Sequence, residues 1–323
     1  MKKTIIALLA LSAAVCAYAQ GPRVPSVSDY PQAHDPVVAF CEGRYYVFTT
    51  GYNIGVMSSD DMKNWRTEPA ALKETPKWAL DRVPGYKGHT WAPDILYHNG
   101  TWYLYYSCSS FGKNSSAIGV ATNTTLNPEN PAYEWVDHGM LIESIPGQTN
   151  WNAIDPNAVI DENGQGWLCF GSFWSGIKLV KLNPDLTSLA NPGEIIPLCE
   201  RKTNGGAVEA PFIYKKLGWY YLFVSYDYCC RGEKSDYKVV VGRSKNVEGP
   251  YLDKNGVSLL DGGGTLVVEG NARYAGAGHS ATVDFDGWDY LFFHGYDTTD
   301  AGRSHLLIRE INWDADDWPS VEL

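Results

Sequence analysis

An all-β fold, a five-bladed β-propeller with its active site at the mouth of the central channel, is what this chain predicts. Three observations lead there. Five glycine-bearing turns each precede an aromatic run: GRYYVF from Gly43, GTWYLYY from Gly100, GQGWLCF from Gly164, GWYYLF from Gly218 and GWDYLFF from Gly287. These turns stand roughly sixty residues apart, a period that suits a blade of several strands better than a short-repeat solenoid. Helical periodicity beyond about ten residues is absent after the N-terminal segment. A sandwich or barrel would also show short strands, but it would not explain five matched modules.

The elements follow in order. Residues 1–19 have the form of a signal peptide, with Lys2 and Lys3 before an apolar run from Ile5 to Val15 and the A-x-A sequence Ala17-Tyr18-Ala19 before Gln20. Residues 20–323 form the propeller domain. Its first copy has AHDPVV around Asp35, the turn at Gly43 and a third strand IGVMSS from Ile54. The second has WAPDILY from Trp91, the turn at Gly100 and AIGVAT from Ala117. AIDPNAVI around Asp155 and GIKLVKL from Gly176 belong to the third, VEAPFIY from Val208 and KVVVGRS from Lys238 to the fourth. The fifth opens on HSATV at His279 and continues with HLLIREI from His305. The long connections 68–88 and 127–150 have the length to shape a cleft.

Composition narrows the function. The 323 residues carry a formal charge of −11, which argues against nucleic acid or an anionic membrane as partner. No later segment approaches the ~20 apolar residues of a spanning helix, so the expectation is an exported, soluble monomer, secreted or periplasmic. Seven cysteines leave six after Cys16 is removed with the leader. Cys41, Cys108 and Cys169 lie in or beside strand patterns and are expected as buried thiols. The adjacent Cys229 and Cys230 stay open: they shape the cleft or bond elsewhere. No C-x-x-C or Cys/His pairing suggests zinc, and no nucleophile elbow, phosphate loop or dinucleotide fingerprint occurs in a strand–helix context.

Asp35, Asp155 and Glu209 each stand near a proline that leads into the first strand of a copy. The first strands of a propeller line its channel, so the three are expected to occupy one place in three copies and to meet at the channel mouth. Two carboxyls flanking a bond suffice for glycoside hydrolysis, one as acid and one as base or nucleophile. A third can orient the sugar and raise the acid's pKa by its charge. Trp91, Phe111 and Trp174 are candidates for stacking on sugar faces, with Asn152 and Ser172 for hydrogen bonds to hydroxyls. Asp94 is expected to support the strand.

These motifs (H34-D-P, W91-A-P-D, N152-A-I-D-P and V208-E-A-P) resemble glycoside hydrolase family 43 over essentially the whole chain after the leader. SCSSFG from Ser107, WNAIDP from Trp151, GSFWSGI from Gly171 and Gly278-His279-Ser280 resemble its arabinanase branch. The resemblance implies inversion, with Asp35 as general base, Glu209 as general acid and Asp155 as modulator of the acid. It also implies a largely water-coordinated calcium ion facing His279. The substrate so implied is α-1,5-linked L-arabinan or its oligosaccharides, cleaved internally. Exo-acting arabinofuranosidase or β-xylosidase action on the same scaffold, and a non-catalytic carbohydrate-binding propeller, are the alternatives.

Overall fold

The computed structural model describes residues 31–323; the leader segment lies outside them. Five antiparallel sheets follow one another along the chain. Blade one comprises Val37–Cys41, Arg44–Thr49, Gly55–Ser59 and Arg66–Glu68, and blade two His89–His98, Thr101–Cys108, Ser116–Asn123 and Val136–Ser144. The short strand Gly51–Tyr52 joins the inner edge of blade two through His89 and Thr90. Blade three is Asn157–Ile160, Gly166–Phe170, Ile177–Lys181 and Ile196–Cys199; blade four is Val208–Lys216, Trp219–Tyr226, Lys238–Ser244 and Thr265–Glu269. Blade five has Tyr274–Phe285, Trp288–Asp297 and Arg303–Glu310. This is the five-bladed propeller the repeats predict.

Period-two alternation explains how the blades stack. Successive side chains of a strand point to opposite faces of its sheet. In blade four Tyr220, Leu222, Val224 and Tyr226 pack towards blade three, whereas Tyr221 and Phe223 pack towards blade five. In blade two Leu104 and Tyr106 face blade one, and Tyr105 faces blade three. The hydrophobic interior is thus divided into clusters between neighbouring blades, each built from two sheets. Aromatic runs suit this layout because both faces of every blade are covered.

The ring closes between blades five and one. Gln32 bridges His305, Ala33 donates its N–H to Ser304 O at 3.2 Å, and Leu306 donates to Pro31 O at 3.0 Å. The N-terminal segment therefore runs beside the third strand of blade five. Ala33 shares a cluster there with Val38, Val47, Phe292 and Leu306. A small hairpin, Asn312–Trp313 with Pro319–Ser320, folds Trp318 and Val321 onto the blade four–five cluster.

Asp94 has the supporting role expected of it. It is 3% exposed and accepts from Ala158 N at 2.8 Å and Asn157 Nδ2 at 3.2 Å, tying blade two to blade three. Asn157 Oδ1 accepts in turn from Ile213 N at 2.8 Å, tying blade three to blade four. Cys108, Cys169 and Cys199 are buried free thiols and Cys41 is half-buried, while Cys229 and Cys230 form a disulfide with each other.

Candidate active site

The first strand of each blade is entered through one residue in the left-handed backbone region. These residues are Asp35 (φ 54°), Ala92 (42°), Asp155 (57°), Ala210 (54°) and His279 (52°). Such a conformation costs a non-glycine residue on the order of 1 kcal/mol, so its recurrence needs local compensation. Each N–H is indeed capped by a side chain. Asp35 N donates to His294 Nδ1 at 3.1 Å, Ala92 N to Thr50 Oγ1 at 2.8 Å, Asp155 N to Ser107 Oγ at 3.0 Å and His279 N to Ser225 Oγ at 2.9 Å. Ser107 and Ser225 stand one residue before the end of the preceding blade's second strand, Thr50 one residue beyond it, and His294 within it.

Blade three lacks such a side chain, because Gly171 occupies the place. A Cβ on Gly171 would lie 2.6 Å from Gly176 O. The N–H of Ala210 is therefore capped by Asp155 Oδ2 at 3.0 Å instead. Asp155 thus holds the backbone that presents Glu209.

This register corrects one expectation. Trp91 pairs with Ser107, Glu209 with Ser225 and Gly278 with His294, so these residues precede the left-handed position. Asp35, Asp155 and His279 are equivalent to one another, but Glu209 is equivalent to Trp91 and stands one residue earlier. Ala92 and Ala210 hold the places that correspond to Asp35. The left-handed residue breaks strand alternation, which lets side chains from both positions reach the same cavity.

That cavity measures about 980 Å³ and is lined by Asp35, Asp155, Glu209 and His279 together with Trp91, Phe111, Asn152, Ser172 and Trp174. All the residues singled out for catalysis, substrate and metal therefore converge. Its size matches a site for a small ligand or a few sugar units. Phe111 and Trp174 are 78% and 44% exposed, so their rings are available for stacking. Two polar candidates are already engaged. Ser172 Oγ donates to Glu209 Oε2 at 2.8 Å, and Asn152 Oδ1 accepts from Ser116 Oγ at 2.7 Å.

The carboxyls differ in their surroundings. Burial would raise the pKa of Asp35, but His279 and His34 outweigh it and hold the carboxyl well below the usual range. Thr50 Oγ1 donates to Asp35 Oδ2 at 2.5 Å, His34 Nδ1 lies 2.8 Å from Oδ2, and His279 Nδ1 lies 3.0 Å from Oδ1. Burial pushes Glu209 up, partly offset by Ser172 and Tyr237. The buried Tyr237 hydroxyl makes no hydrogen bond, so its influence on Glu209 is one of proximity. Burial also pushes Asp155 up, opposed by His279 and reinforced by the charges of Glu209 and Asp35. For His279 burial favours the neutral ring, yet Asp35 prevails and raises its pKa to about 9.

Sequence reading missed the network behind Asp35. His294 accepts from Asp35 N, so its Nδ1 carries no proton, and its 3.7 Å approach to Asp35 Oδ1 is not an ion pair. Burial holds that ring neutral. Tyr296 Oη then lies between His294 Nε2 at 3.2 Å and His34 Nε2 at 2.9 Å. The assignment that satisfies all three groups has His294 Nε2–H donating to Tyr296, Tyr296 donating to His34 Nε2, and His34 Nδ1–H donating to Asp35. His34 was visible beside Asp35, but nothing in sequence linked it to residues 294 and 296.

Calcium takes six to eight oxygen ligands. The clusters of potential ligands among the described residues are His34, Asp35 and His294, and His34 with Cys229 and Cys230. These are rich in nitrogen and sulfur and contain one carboxylate. They do not form a calcium shell, and His279 Nδ1 is already committed to Asp35.

Residues 30–319 match the family model described as glycosyl hydrolases family 43. The extracellular exo-α-(1→5)-L-arabinofuranosidase ArbA of Cellvibrio japonicus is 47% identical over 298 residues, 90% of this chain and 86% of that protein. The extracellular endo-α-(1→5)-L-arabinanase 1 of Bacillus subtilis is 43% identical over 291 residues, covering 89% and 87%. A solved exo-1,5-α-L-arabinanase from a bovine ruminal metagenomic library superposes with a TM-score of 0.89 at 52% identity, covering 92% of this chain and 98% of that one. A matched fold, five equivalent blade entries and relatives alike over nearly their full length lead to one conclusion: this chain is a glycosidase that belongs to glycosyl hydrolase family 43.

Proposed function

We propose that the protein is a secreted hydrolase of α-1,5-linked L-arabinan that inverts configuration at the anomeric carbon. The observation that carries this reading is the contrast between two buried carboxyls in one cavity. Asp35 is held ionised by His279 and His34, whereas Glu209 is pushed towards its protonated form by burial. Inverting hydrolysis needs such a pair.

Glu209 protonates the leaving glycosidic oxygen as the bond to the anomeric carbon breaks. Asp35 accepts a proton from the water that attacks the opposite face. Thr50, His34 and His279 fix the orientation of Asp35 so that one lone pair faces the water. Asp155 holds the Ala210 backbone and shares the negative charge of the site with Glu209. Trp91, Phe111 and Trp174 stack on furanose rings, and the amide nitrogen of Asn152 is left for a hydroxyl.

The substrate class comes from the relatives, which are named for arabinan bonds. Internal cleavage is the sequence expectation. Chain-end cleavage is the second reading, favoured because the relatives at 47% and 52% identity are both named for exo action. Chromatography of early products from linear arabinan separates the two. A ladder of oligosaccharides supports endo action, one dominant short product supports exo action, and no product from arabinan rejects the substrate.

Calcium belongs to this proposal only as a largely hydrated ion, which the uncharged form of His279 would face through its second ring nitrogen. Such an ion would offset part of the negative charge of the three carboxyls. Calorimetric titration should show calcium binding that His279→Ala abolishes; identical titrations of the two proteins would remove the ion from the account.

A further inference from the structure

The disulfide between Cys229 and Cys230 bridges adjacent residues. A crosslink stabilises a fold mainly by closing a loop in the unfolded chain, and its effect grows with loop length. A bridge at a sequence separation of 1 closes almost no loop. Its contribution to the fold through chain entropy is therefore slight, and its place in the molecule has to account for it.

Both cysteines line the cavity that holds the three carboxyls, alongside Tyr228 and Arg231. Their segment is fixed on every side. Tyr228 N donates to Asp236 Oδ1 at 2.9 Å, and Arg231 N to Ser235 Oγ at 3.1 Å. Cys230 N donates to Tyr296 Oη at 2.8 Å, and Cys230 Sγ lies 3.8 Å from His34 Nε2. The Arg231 guanidinium covers the Tyr228 ring at 3.7 Å. Cys230 itself is exposed, with its left-handed backbone (φ 64°) at the end of the pair.

We infer that the Cys229–Cys230 disulfide is a substrate-binding surface of the cleft, a rigid apolar wall against which a furanose ring of the arabinan chain packs. The inference rests on the arabinan reading above. A bridge between neighbours closes an eight-membered ring with no side-chain donor that would need a partner. Two polarisable sulfurs make dispersion contacts with the C–H face of a sugar much as a thioether does with an aromatic ring. The wall is preorganised, so binding orders no side chain. Reduction replaces it with two freely rotating thiols at the same positions.

The test compares untreated protein, protein treated with a phosphine reductant, and Cys229→Ala/Cys230→Ala, using linear arabino-oligosaccharides as substrate. After reduction, two more thiols should titrate than before. In both the reduced protein and the double variant KM should rise about tenfold, equivalent to losing one small apolar contact surface. The kcat should stay within about twofold and the melting temperature within a few degrees. Reductant should have no effect on the double variant. An unchanged KM overturns the inference, as does a fall in kcat alone, which would place the disulfide behind His34 and Asp35 rather than against substrate. No additional thiols after reduction would overturn it too. Untreated protein that fails to hydrolyse arabinan marks failure of the substrate reading, and the inference falls with it; hydrolysis with a redox-insensitive KM marks failure of the inference alone.

Discussion

At the scale of residues, the same side-chain chemistry is put to different uses by the partners each carboxyl meets. Asp35→Ala and Glu209→Ala should each lower hydrolysis of debranched arabinan by at least about 10³-fold, the upper range of a single acid–base contribution. Circular dichroism should show the fold retained, and near-normal turnover by either variant would reject its role. The pH profile carries a second prediction. Removing the positive partner in His279→Ala should raise the pKa of Asp35 and move the acid limb of kcat/KM upward by about one pH unit or more. Asp155→Asn removes a negative neighbour of Glu209, so the protonated acid is lost at lower pH and the alkaline limb should move down. An alkaline limb that stays in place would show that Asp155 acts on Glu209 through the Ala210 backbone alone. The three acids were legible in sequence, but their relative register was not. Asp-Pro and Glu-Ala-Pro look alike as strings, and only the pairing of Glu209 with Ser225 places Glu209 in line with Trp91.

At the scale of elements, each blade is tied to the next by its entry turn and by buried polar struts. Asp94 satisfies Ala158 N and Asn157 Nδ2 in the interior between blades two and three. Burial pushes its pKa up to about 6, while those donors favour the ionised form. Asp94→Ala should destabilise the protein by about 1–3 kcal/mol, because two buried donors lose their acceptor. Denaturant unfolding measures this, and activity per folded molecule should change little. Gly171→Ala should also destabilise, since its Cβ would lie 2.6 Å from Gly176 O. The strands themselves were predictable from the glycine turns and aromatic runs. A supporting role for Asp94 was legible too, but its partners were not, because the struts join residues some sixty positions apart and depend on which edge faces which blade.

At the scale of the whole molecule, the closed ring makes the seam between blades five and one as important as the interfaces within the series. Phe292 is fully buried there beside Val38, Val47 and Leu306. Phe292→Ala should cost about 3–5 kcal/mol, with unfolding still a single calorimetric transition. A separate early transition would mean that the seam opens independently of the other blades. The number of blades could be counted from the sequence, whereas closure through residues 31–33 could not, since that segment has no repeat signature of its own.

Strand periodicity and turn chemistry are local properties, so the five-fold repeat, the all-β class, the family resemblance and the identity of the acidic residues can be read along the chain. Which residues face one another across the channel depends on how the folded blades close around it. The offset of Glu209, the histidine and tyrosine network behind Asp35 and the capping role forced on Asp155 by Gly171 all arise between blades. The physical reason is common to them. In a propeller the site lies on the axis, each blade brings one short edge to it, and the contacts that tune its chemistry are made by residues far apart along the chain.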